Sequence, residues 1–244
     1  MKAAYDEIGG SYRRTRQPDP RIADLIDVQV GAADTILNIG AGAGSYEPRG
    51  RTVIAAEPSS VMLGQRPPGS APAVQAIAEA LPFGDRSFDL SMTILSIHHW
   101  SDWRRGVGEA MRVSDGRFLI LTWTGFPRGF WLMDYFPEIE ELDLSQFPTV
   151  SDLEHELGTC SPVTVPVPHD CRDGFLCAYW RRPDAYLDPL VRAGMSTFSK
   201  LANMDSGLER LADDLSCGRW DALYGHLRFH GSYDYGYRIL SFTR

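Results

Sequence analysis

Three glycines stand at alternate positions immediately after a short apolar run. The run covers residues 35–39, and Gly40, Gly42 and Gly44 follow it. Such a pattern is typical of a buried strand that ends in a tight turn, where missing side chains let a ligand approach the backbone. The amides of residues 45–47 can then point at that ligand. The spacing therefore predicts a small-molecule cofactor site, and a tight turn without a ligand is the alternative.

The third glycine of this loop indicates which cofactor the spacing favours. A dinucleotide fingerprint, G-x-G-x-x-G, would place its third glycine at position 45, which is Ser45. The spacing here is G-x-G-x-G and favours a cofactor without a pyrophosphate. Glu57 directly follows the next apolar run, residues 52–56, where a carboxylate can accept hydrogen bonds from ribose hydroxyls. We expect Glu57 to contact the ligand; a solvated loop acid is the alternative.

Histidines follow two of the predicted strands. His98 and His99 come after a strand at residues 88–95, and His169 with Asp170 follows a strand at residues 163–168. A histidine that is neutral near pH 7 is a suitable general base. We predict His99 and His169 as catalytic residues, with a purely structural role for either as the alternative.

Composition and charge restrict the class of protein. The chain has 244 residues and a net charge of −8, which argues against a surface that binds nucleic-acid phosphates. No apolar run reaches the roughly 18 residues of a membrane span, and the first residues lack a signal-peptide core. The four cysteines contain no C-x-x-C pair, which is typical of reduced thiols. We expect a cytoplasmic monomer or homodimer without a metal, whose partner is a small molecule.

Strands and helices alternate along most of the chain. Strands are predicted at residues 35–39, 52–56, 73–77, 88–95, 117–123, 163–168 and 235–242. A helix begins near Pro20, another spans residues 102–113, and a short one covers residues 151–157. Alternation of this kind indicates a parallel sheet with right-handed crossovers.

The order of four motifs is more specific than any one of them. Residues 36–44 (ILNIGAGAG) are followed by 53–59 (VIAAEPS), 78–83 (AEALPF) and 87–89 (SFD). Together they resemble the class I S-adenosylmethionine-dependent methyltransferases, and most closely the branch with the ubiquinone and menaquinone methyltransferases. The resemblance covers residues 36–123. It implies an α/β, Rossmann-like fold with a seven-stranded, mostly parallel sheet and helices on both faces.

The resemblance also implies a set of contacts with the cofactor S-adenosylmethionine. It places Glu57 on the ribose hydroxyls, and Pro58 and Met62 beside the adenine. An N-terminal segment, residues 1–30, would close over the cofactor, with Arg16 paired to the methionine carboxylate. The remaining positions implied as cofactor-binding are Tyr12, Gly40, Ala41, Gly42, Ala78, Glu79, Thr93 and Ile94.

Three features depart from the family pattern. Asn38 stands where many members carry an acid, and residues 76 and 77 are Ala-Ile where Gly-Asp is common. Because the side chain of Ile77 cannot accept a hydrogen bond, Glu79 or a backbone group must receive the adenine amino group. A proline and a glycine, at positions 48 and 50, allow only a short helix after the glycine loop.

The segment between the last two predicted strands is long for this fold. In the family a tight connection joins these strands, whereas residues 171–230 separate them here. The segment is mostly helical in pattern and rich in aromatic residues. It predicts a helical cap over the substrate site, inserted into a core of residues 31–170 and 231–244. An aromatic cap favours a small apolar or aromatic substrate over a macromolecule.

These features predict an S-adenosylmethionine-dependent methyltransferase. It would transfer the methyl group to oxygen, nitrogen or carbon of a small molecule by in-line displacement, with a histidine as base where one is needed. Two alternatives remain open. One is a fold repurposed for a non-methylating step, such as cyclisation, dehydration or rearrangement, and the other is a small-molecule-binding module without turnover.

Overall fold

The apolar runs of the sequence form a seven-stranded sheet. The computed structural model describes residues 15–243. In chain order, the strands of this sheet are β1 (Thr35–Ile39), β2 (Thr52–Ala56), β3 (Ala73–Val74), β4 (Leu90–Ile94), β5 (Arg117–Trp123), β6 (Val163–Thr164) and β9 (Tyr237–Thr243). Two further strands, β7 (Val167–Pro168) and β8 (Ser232–Tyr233), form a separate small sheet.

The strand order is β3-β2-β1-β4-β5-β9-β6. Strands β1 to β5 pair in parallel, and β9 runs antiparallel to both β5 and β6. The strand order reverses between β1 and β4, and ligands of such sheets bind at this point. The predicted fold, a mostly parallel α/β sheet of seven strands, is confirmed.

Helices connect the strands and cover the sheet. Those in the described part of the chain are α1 (Pro20–Val30), α2 (Ser60–Gly64), α3 (Trp103–Val113), α4 (Glu138–Gln146), α5 (Val150–Leu157), α6 (Pro189–Arg192), α7 (Asp205–Ser216) and α8 (Arg219–Tyr224). Asp19 caps α1, Ser59 caps α2 and Asp102 caps α3, each by accepting a backbone hydrogen bond in the first turn. Between residues 15 and 243 no helix has both the length and the apolarity to cross a membrane.

The two faces of the sheet belong to different hydrophobic clusters, because neighbouring strand residues point to opposite faces. Leu37, Phe118 and Leu240 lie in the cluster that includes residues of α3 and α5. Their neighbours Ile36 and Leu119 lie in the other cluster, which includes α1 and the aromatic residues of the cap. The sheet therefore separates the layer of α3 and α5 on one face from α1 and residues of the 171–230 segment on the other.

Buried aromatic side chains fix the segment between β7 and β8. Trp180, Tyr186 and Trp220 are completely buried. Trp131 Nε1 donates a hydrogen bond to the Trp180 carbonyl (2.8 Å), and Trp180 Nε1 donates to the Val167 carbonyl (3.2 Å). Residues 130–136 thus share a core with the 171–230 segment. The predicted division of the chain at residue 170 stays a prediction.

Two predicted elements are wrong in part. No helix follows the glycine loop, because residues 40–51 form turns in which Glu47 pairs with Arg66 at 2.5 Å. The strand predicted at residues 163–168 divides into β6 and β7. Pro166 lies between them and has no amide hydrogen to donate, so the chain leaves the main sheet there and pairs with β8.

Candidate active site

A cleft opens at the carboxyl ends of β1, β2 and β4. The loops that follow these strands form most of its wall, together with Arg16 and Asp173. The predicted site residues that line it are Arg16, Gly40, Ala41, Gly42, Glu57, Pro58, Met62, Ala78, Glu79, Ile94 and His99. The structure thus brings most of the predicted residues together at one place.

Backbone contacts hold the start of the glycine loop. The amides of Gly40 and Ala41 both donate to the carbonyl oxygen of Ala56, at 2.8 and 3.2 Å. Gly40 has a φ of +68°, and a Cβ at this position would lie 1.8 Å from Oγ of Ser96. The first glycine is therefore required by the packing of Ser96, whereas the sequence pattern suggested only the approach of a ligand.

Glu57 joins the glycine loop to the next helix. Its Oε2 accepts a hydrogen bond from the Gly42 amide (2.8 Å), and its Oε1 accepts one from the Ser59 amide (2.9 Å). Gly42 has a φ of +54°, a conformation that glycine adopts without steric cost. Glu57 is buried and lines the cleft. The same carboxylate thus fixes the loop and faces the candidate ligand.

Glu79 has a similar double position on the neighbouring loop. Its Oε1 accepts hydrogen bonds from Ser101 Oγ (2.9 Å) and from the Asp102 amide (3.0 Å), and Asp102 caps α3. Ala78 lines the cleft beside Glu79, and Ile77 lies at its edge with 49% of its surface exposed. This arrangement keeps a carboxylate next to an apolar surface on that side of the cleft.

Asn38, the residue that replaces an acid of the family, lines the cleft from the end of β1. Its side chain is buried, and neither Oδ1 nor Nδ2 has a hydrogen-bond partner among the described residues. An unpaired buried amide costs free energy unless a ligand or water supplies the bonds.

Thr93 does not line the cleft, although it was predicted to contact the cofactor. Neighbouring strand residues face opposite sides of the sheet, and Ile94 lines the cleft instead.

Arg16 reaches the cleft from the N-terminal side. Its Nε donates to Asp173 Oδ1 at 2.5 Å, and its Nη2 donates to Oδ2 at 3.4 Å. Asp173, which the sequence did not single out, is 1% exposed and also lines the cleft. The guanidinium that was predicted to pair with a ligand carboxylate thus already has a protein partner. Tyr12 lies outside the described residues.

His99 lines the cleft, and its ring lies 3.9 Å from that of His98. Burial lowers the pKa of His99 to about 4, and the positive charges of Lys200 and Arg16 act in the same direction. Burial also lowers the pKa of His98 well below its ordinary value. Both imidazoles are therefore neutral at pH 7, and His99 is a weak proton acceptor there.

His169 does not reach the cleft. It follows β7, which belongs to the small sheet rather than to the seven-stranded one, and it is not among the residues that line the cleft. The His169 side chain is 37% exposed, and its Nε2 lies 4.0 Å from Asp170. Asp170 accepts a hydrogen bond from Arg21 at 2.7 Å. The geometry therefore corrects the predicted position of this histidine and gives Asp170 a contact with α1.

A second chamber adjoins the cleft beneath the cap and shares two residues with it. Its walls are mainly aromatic or apolar, with one carboxylate. The residues that line it are Arg16, Leu95, His98, Trp123, Asp143, Phe147, Phe175, Leu176, Met195, Ser196, Thr197 and Tyr237. Arg16 and Leu95 are the two that also line the cleft. Its volume is about 50 Å³, well below that of a pocket for a whole ligand, so it has room for a small group of a second molecule beside the cleft.

Asp143 is the functional candidate that the sequence reasoning missed. It is 6% exposed, and its Oδ1 accepts a hydrogen bond from Thr197 Oγ1 at 2.9 Å. Burial raises the pKa of Asp143 to about 6, against the opposing effects of Thr197 and the positive charge of Lys200. A signal was present: Asp143 stands four residues after Ile139, on the apolar face of α4.

Backbone strain also marks the cleft. Leu95 and Tyr46 have φ values of +51° and +57°, although neither is a glycine. Both line the cleft, and Leu95 borders the second chamber as well. Non-glycine residues in this conformation are held there by their surroundings and concentrate at functional sites.

The contact between Gly40 and Ser96 leads to a stability prediction. Gly50 is the matched control, because its φ of +71° is similar but nothing lies within 4 Å of an added Cβ. We expect Gly50→Ala to lower the free energy of unfolding by about 1 kcal/mol through backbone strain. Gly40→Ala should cost about 1–3 kcal/mol more through overpacking. Adding Ser96→Gly should recover most of that excess in urea denaturation, and equal losses for the two alanine variants would contradict the explanation.

The buried carboxylate leads to a pH prediction. Because the pKa of Asp143 is raised in the folded protein, folding is favoured by the protonated form and loses stability as pH rises through about 6. Asp143→Asn removes this loss while keeping an acceptor for Thr197. The variant should match the wild type near pH 4 and exceed its unfolding free energy by about 2 kcal/mol at pH 7.5. Melting curves from pH 4 to 8 test this, and a difference independent of pH would contradict it.

Comparisons with known proteins agree with this geometry. Residues 37–120 match the family model described as "Methyltransferase domain". The structure of a "Putative methyltransferase from antibiotic biosynthesis pathway" of Anabaena variabilis ATCC 29413 is 35% identical to this chain, with a TM-score of 0.85. That alignment covers 94% of this chain and 99% of the other.

More distant relatives share the fold. YcgJ of Bacillus subtilis, an "Uncharacterized methyltransferase", is 49% identical over 49 residues, a stretch that covers 19% of this chain and 19% of YcgJ. Its crystal structure aligns over 93% of this chain and 99% of its own, with 19% identity and a TM-score of 0.54. The [4+2]-cyclase SpnF aligns over 98% and 93%, with 15% identity and a TM-score of 0.57.

The Anabaena relative is 35% identical over nearly the whole length of both chains, which shows that the two proteins belong to one family. The family model, in turn, matches the part of the chain that holds the glycine loop, Glu57 and the histidine pair. The finer likeness to the ubiquinone and menaquinone branch stays a prediction. The chain belongs to the class I S-adenosylmethionine-dependent methyltransferase family.

Proposed function

We propose that this protein transfers a methyl group from S-adenosylmethionine to a small molecule. The observation that carries the proposal is the cleft at the ends of β1, β2 and β4. There, the Glu57 carboxylate and the unpaired amide of Asn38 face the same space as the apolar side chains of Pro58 and Met62. The family's cofactor has polar groups at its ribose and methionine ends and an apolar face at its adenine ring, so these walls fit it.

The roles of individual residues follow from their places on the wall. Glu57 would accept hydrogen bonds from the ribose hydroxyls while it keeps the Gly42 amide. Pro58, Met62 and Ala78 would cover the adenine ring. The amide of Asn38 would bond to the methionine end, which satisfies atoms that otherwise lack partners among the described residues. Glu57, Pro58, Met62 and Ala78 are among the predicted cofactor contacts that lie at the cleft.

When bound, S-adenosylmethionine supplies an electrophilic methyl group. The protein's contribution is to hold the acceptor beside it and to exclude water, which can account for a large part of the rate enhancement of a two-substrate reaction. His99 is neutral and weakly basic in this environment, and His169 lies away from the cleft. We infer that the reaction depends on positioning more than on proton removal by either histidine.

Replacing Glu57 tests the cofactor site. Glu57 accepts hydrogen bonds from two backbone amides. In Glu57→Gln one of these amides faces the NH₂ group of the glutamine, and the negative charge that would bind the ribose hydroxyls is lost. We expect the dissociation constant for S-adenosylhomocysteine in calorimetry to rise about tenfold or more. Glu109→Gln is the control, because Glu109 also uses both oxygens, for Arg112 and for the Leu81 amide, but does not line the cleft.

Three results would contradict the proposal: no binding of S-adenosylhomocysteine to the wild type, equal weakening by both variants, or no weakening by Glu57→Gln. Transfer itself requires a separate assay. Methyl-labelled S-adenosylmethionine, incubated with a panel of small aromatic acceptors, should yield labelled product. Intact binding without any transfer would instead favour a non-methylating reaction or a binding module.

A further inference from the structure

We propose that the second chamber binds an ammonium group of the substrate and that Asp143 is its anionic partner. The inference rests on the proposed function in one respect, since the chamber adjoins the cleft that we assign to the cofactor. It adds the chemical class of the acceptor, a molecule whose ammonium group enters the small chamber and whose aromatic or apolar body lies outside it. The ammonium group is the part that is bound and not the atom that is methylated, because a protonated nitrogen has no lone pair with which to accept a methyl group.

The Asp143 carboxylate is held by a neutral partner. Thr197 Oγ1 donates the hydrogen bond that Asp143 Oδ1 accepts. Within residues 15–243, no nitrogen of lysine, arginine or histidine lies within 4.0 Å of either carboxylate oxygen. Buried charges in proteins are normally paired. The carboxylate lines the chamber, so a cation that enters the chamber can pair with it.

Aromatic rings form a large part of the chamber's wall. Trp123, Phe147, Phe175 and Tyr237 line the chamber together with the neutral ring of His98. Phe147 stacks on His98 at 4.1 Å, and Phe175 lies 4.6 Å from Tyr237. Aromatic faces attract cations, particularly where water is excluded.

These aromatic faces hold no cation of the protein itself. In the described part of the chain, arginines lie over the rings of Trp103, Tyr135, Tyr179, Trp220 and Tyr233. None of those five rings lines the chamber. The chamber thus has the two components that recognise ammonium groups, a carboxylate and aromatic rings over which no cationic side chain of the described residues lies.

The other charged and titratable groups around Asp143 leave its charge available. Arg16 is paired with Asp173. Lys200 is exposed and donates to Gln146, and its positive charge acts on Asp143 without an ion pair within 4.0 Å. Burial keeps His98 neutral by lowering its pKa, and keeps the Cys177 thiol and the Tyr237 hydroxyl neutral by raising theirs. The chamber therefore favours a cationic ligand over a neutral or an anionic one.

Three probes of equal skeleton test the charge preference: 2-phenylethylamine, 2-phenylethanol and phenylacetate. Calorimetry would measure each with the wild type and with Asp143→Asn, in the presence and absence of S-adenosylhomocysteine. We expect the wild type to bind the amine at least tenfold more tightly than the alcohol and to reject the acid. In Asp143→Asn the affinity for the amine should fall at least tenfold, and the affinity for the alcohol should fall less than threefold.

A matched control separates the chamber from the surface charge. Glu140→Gln removes a carboxylate from the same helix, but Glu140 is exposed and does not line the chamber, so amine binding should be unchanged. The affinity of the wild type for the amine should also rise between pH 5 and 7.5 as Asp143 loses its proton. Melting temperatures of both variants verify that they are folded.

Equal binding of amine and alcohol, survival of amine binding in Asp143→Asn, or binding of no probe would overturn the inference. Its failure can be told apart from failure of the proposed function. Loss of S-adenosylhomocysteine binding alone rejects the cofactor site and leaves the amine chamber standing. Loss of the amine preference alone leaves methyl transfer to a different class of acceptor.

Discussion

The hydrogen bonds of the Glu57 carboxylate are the interaction on which the site depends. One oxygen accepts a hydrogen bond from the Gly42 amide, and the other accepts one from the Ser59 amide. A single buried carboxylate therefore links the loop after β1 to the start of α2. No helix follows the glycine loop here, and residues 40–51 are held instead by this carboxylate and by the ion pair of Glu47 with Arg66. A bound ribose would share a carboxylate that the protein already needs, which couples ligand binding to the order of the loop.

Much of the fold and the cofactor part of the candidate site could be predicted from the sequence, because both depend on local patterns. A buried strand, a glycine turn and an acid after the next strand lie within about two dozen residues, and parallel pairing brings their ends together. The predicted cofactor residues from Gly40 to Glu79 accordingly line one cleft. Thr93 does not, because strand residues alternate between faces and the prediction did not decide which of two neighbours faces the ligand.

Contacts between distant segments could not be predicted. Arg16 and Asp173 are 157 residues apart in the chain, and Asp143 meets Thr197 across 54. The predicted position of His169 was wrong for a similar reason. Pro166 ends the pairing of this segment with the main sheet, and the residues after it pair with β8 in a small separate sheet. The chamber that we propose for the substrate is lined by residues from such distant segments, and for this reason the acceptor was harder to infer from the sequence than the cofactor.

We propose that the Glu57 cleft holds the adenosyl group of the cofactor, with the methionine end toward Asn38. A crystal structure of the protein with S-adenosylhomocysteine tests this arrangement most directly. We expect ribose hydroxyls within hydrogen-bond distance of Glu57, adenine against Met62, and a ligand atom hydrogen-bonded to the Asn38 amide. Ligand bound elsewhere, or in this cleft with the ribose away from Glu57, would contradict it.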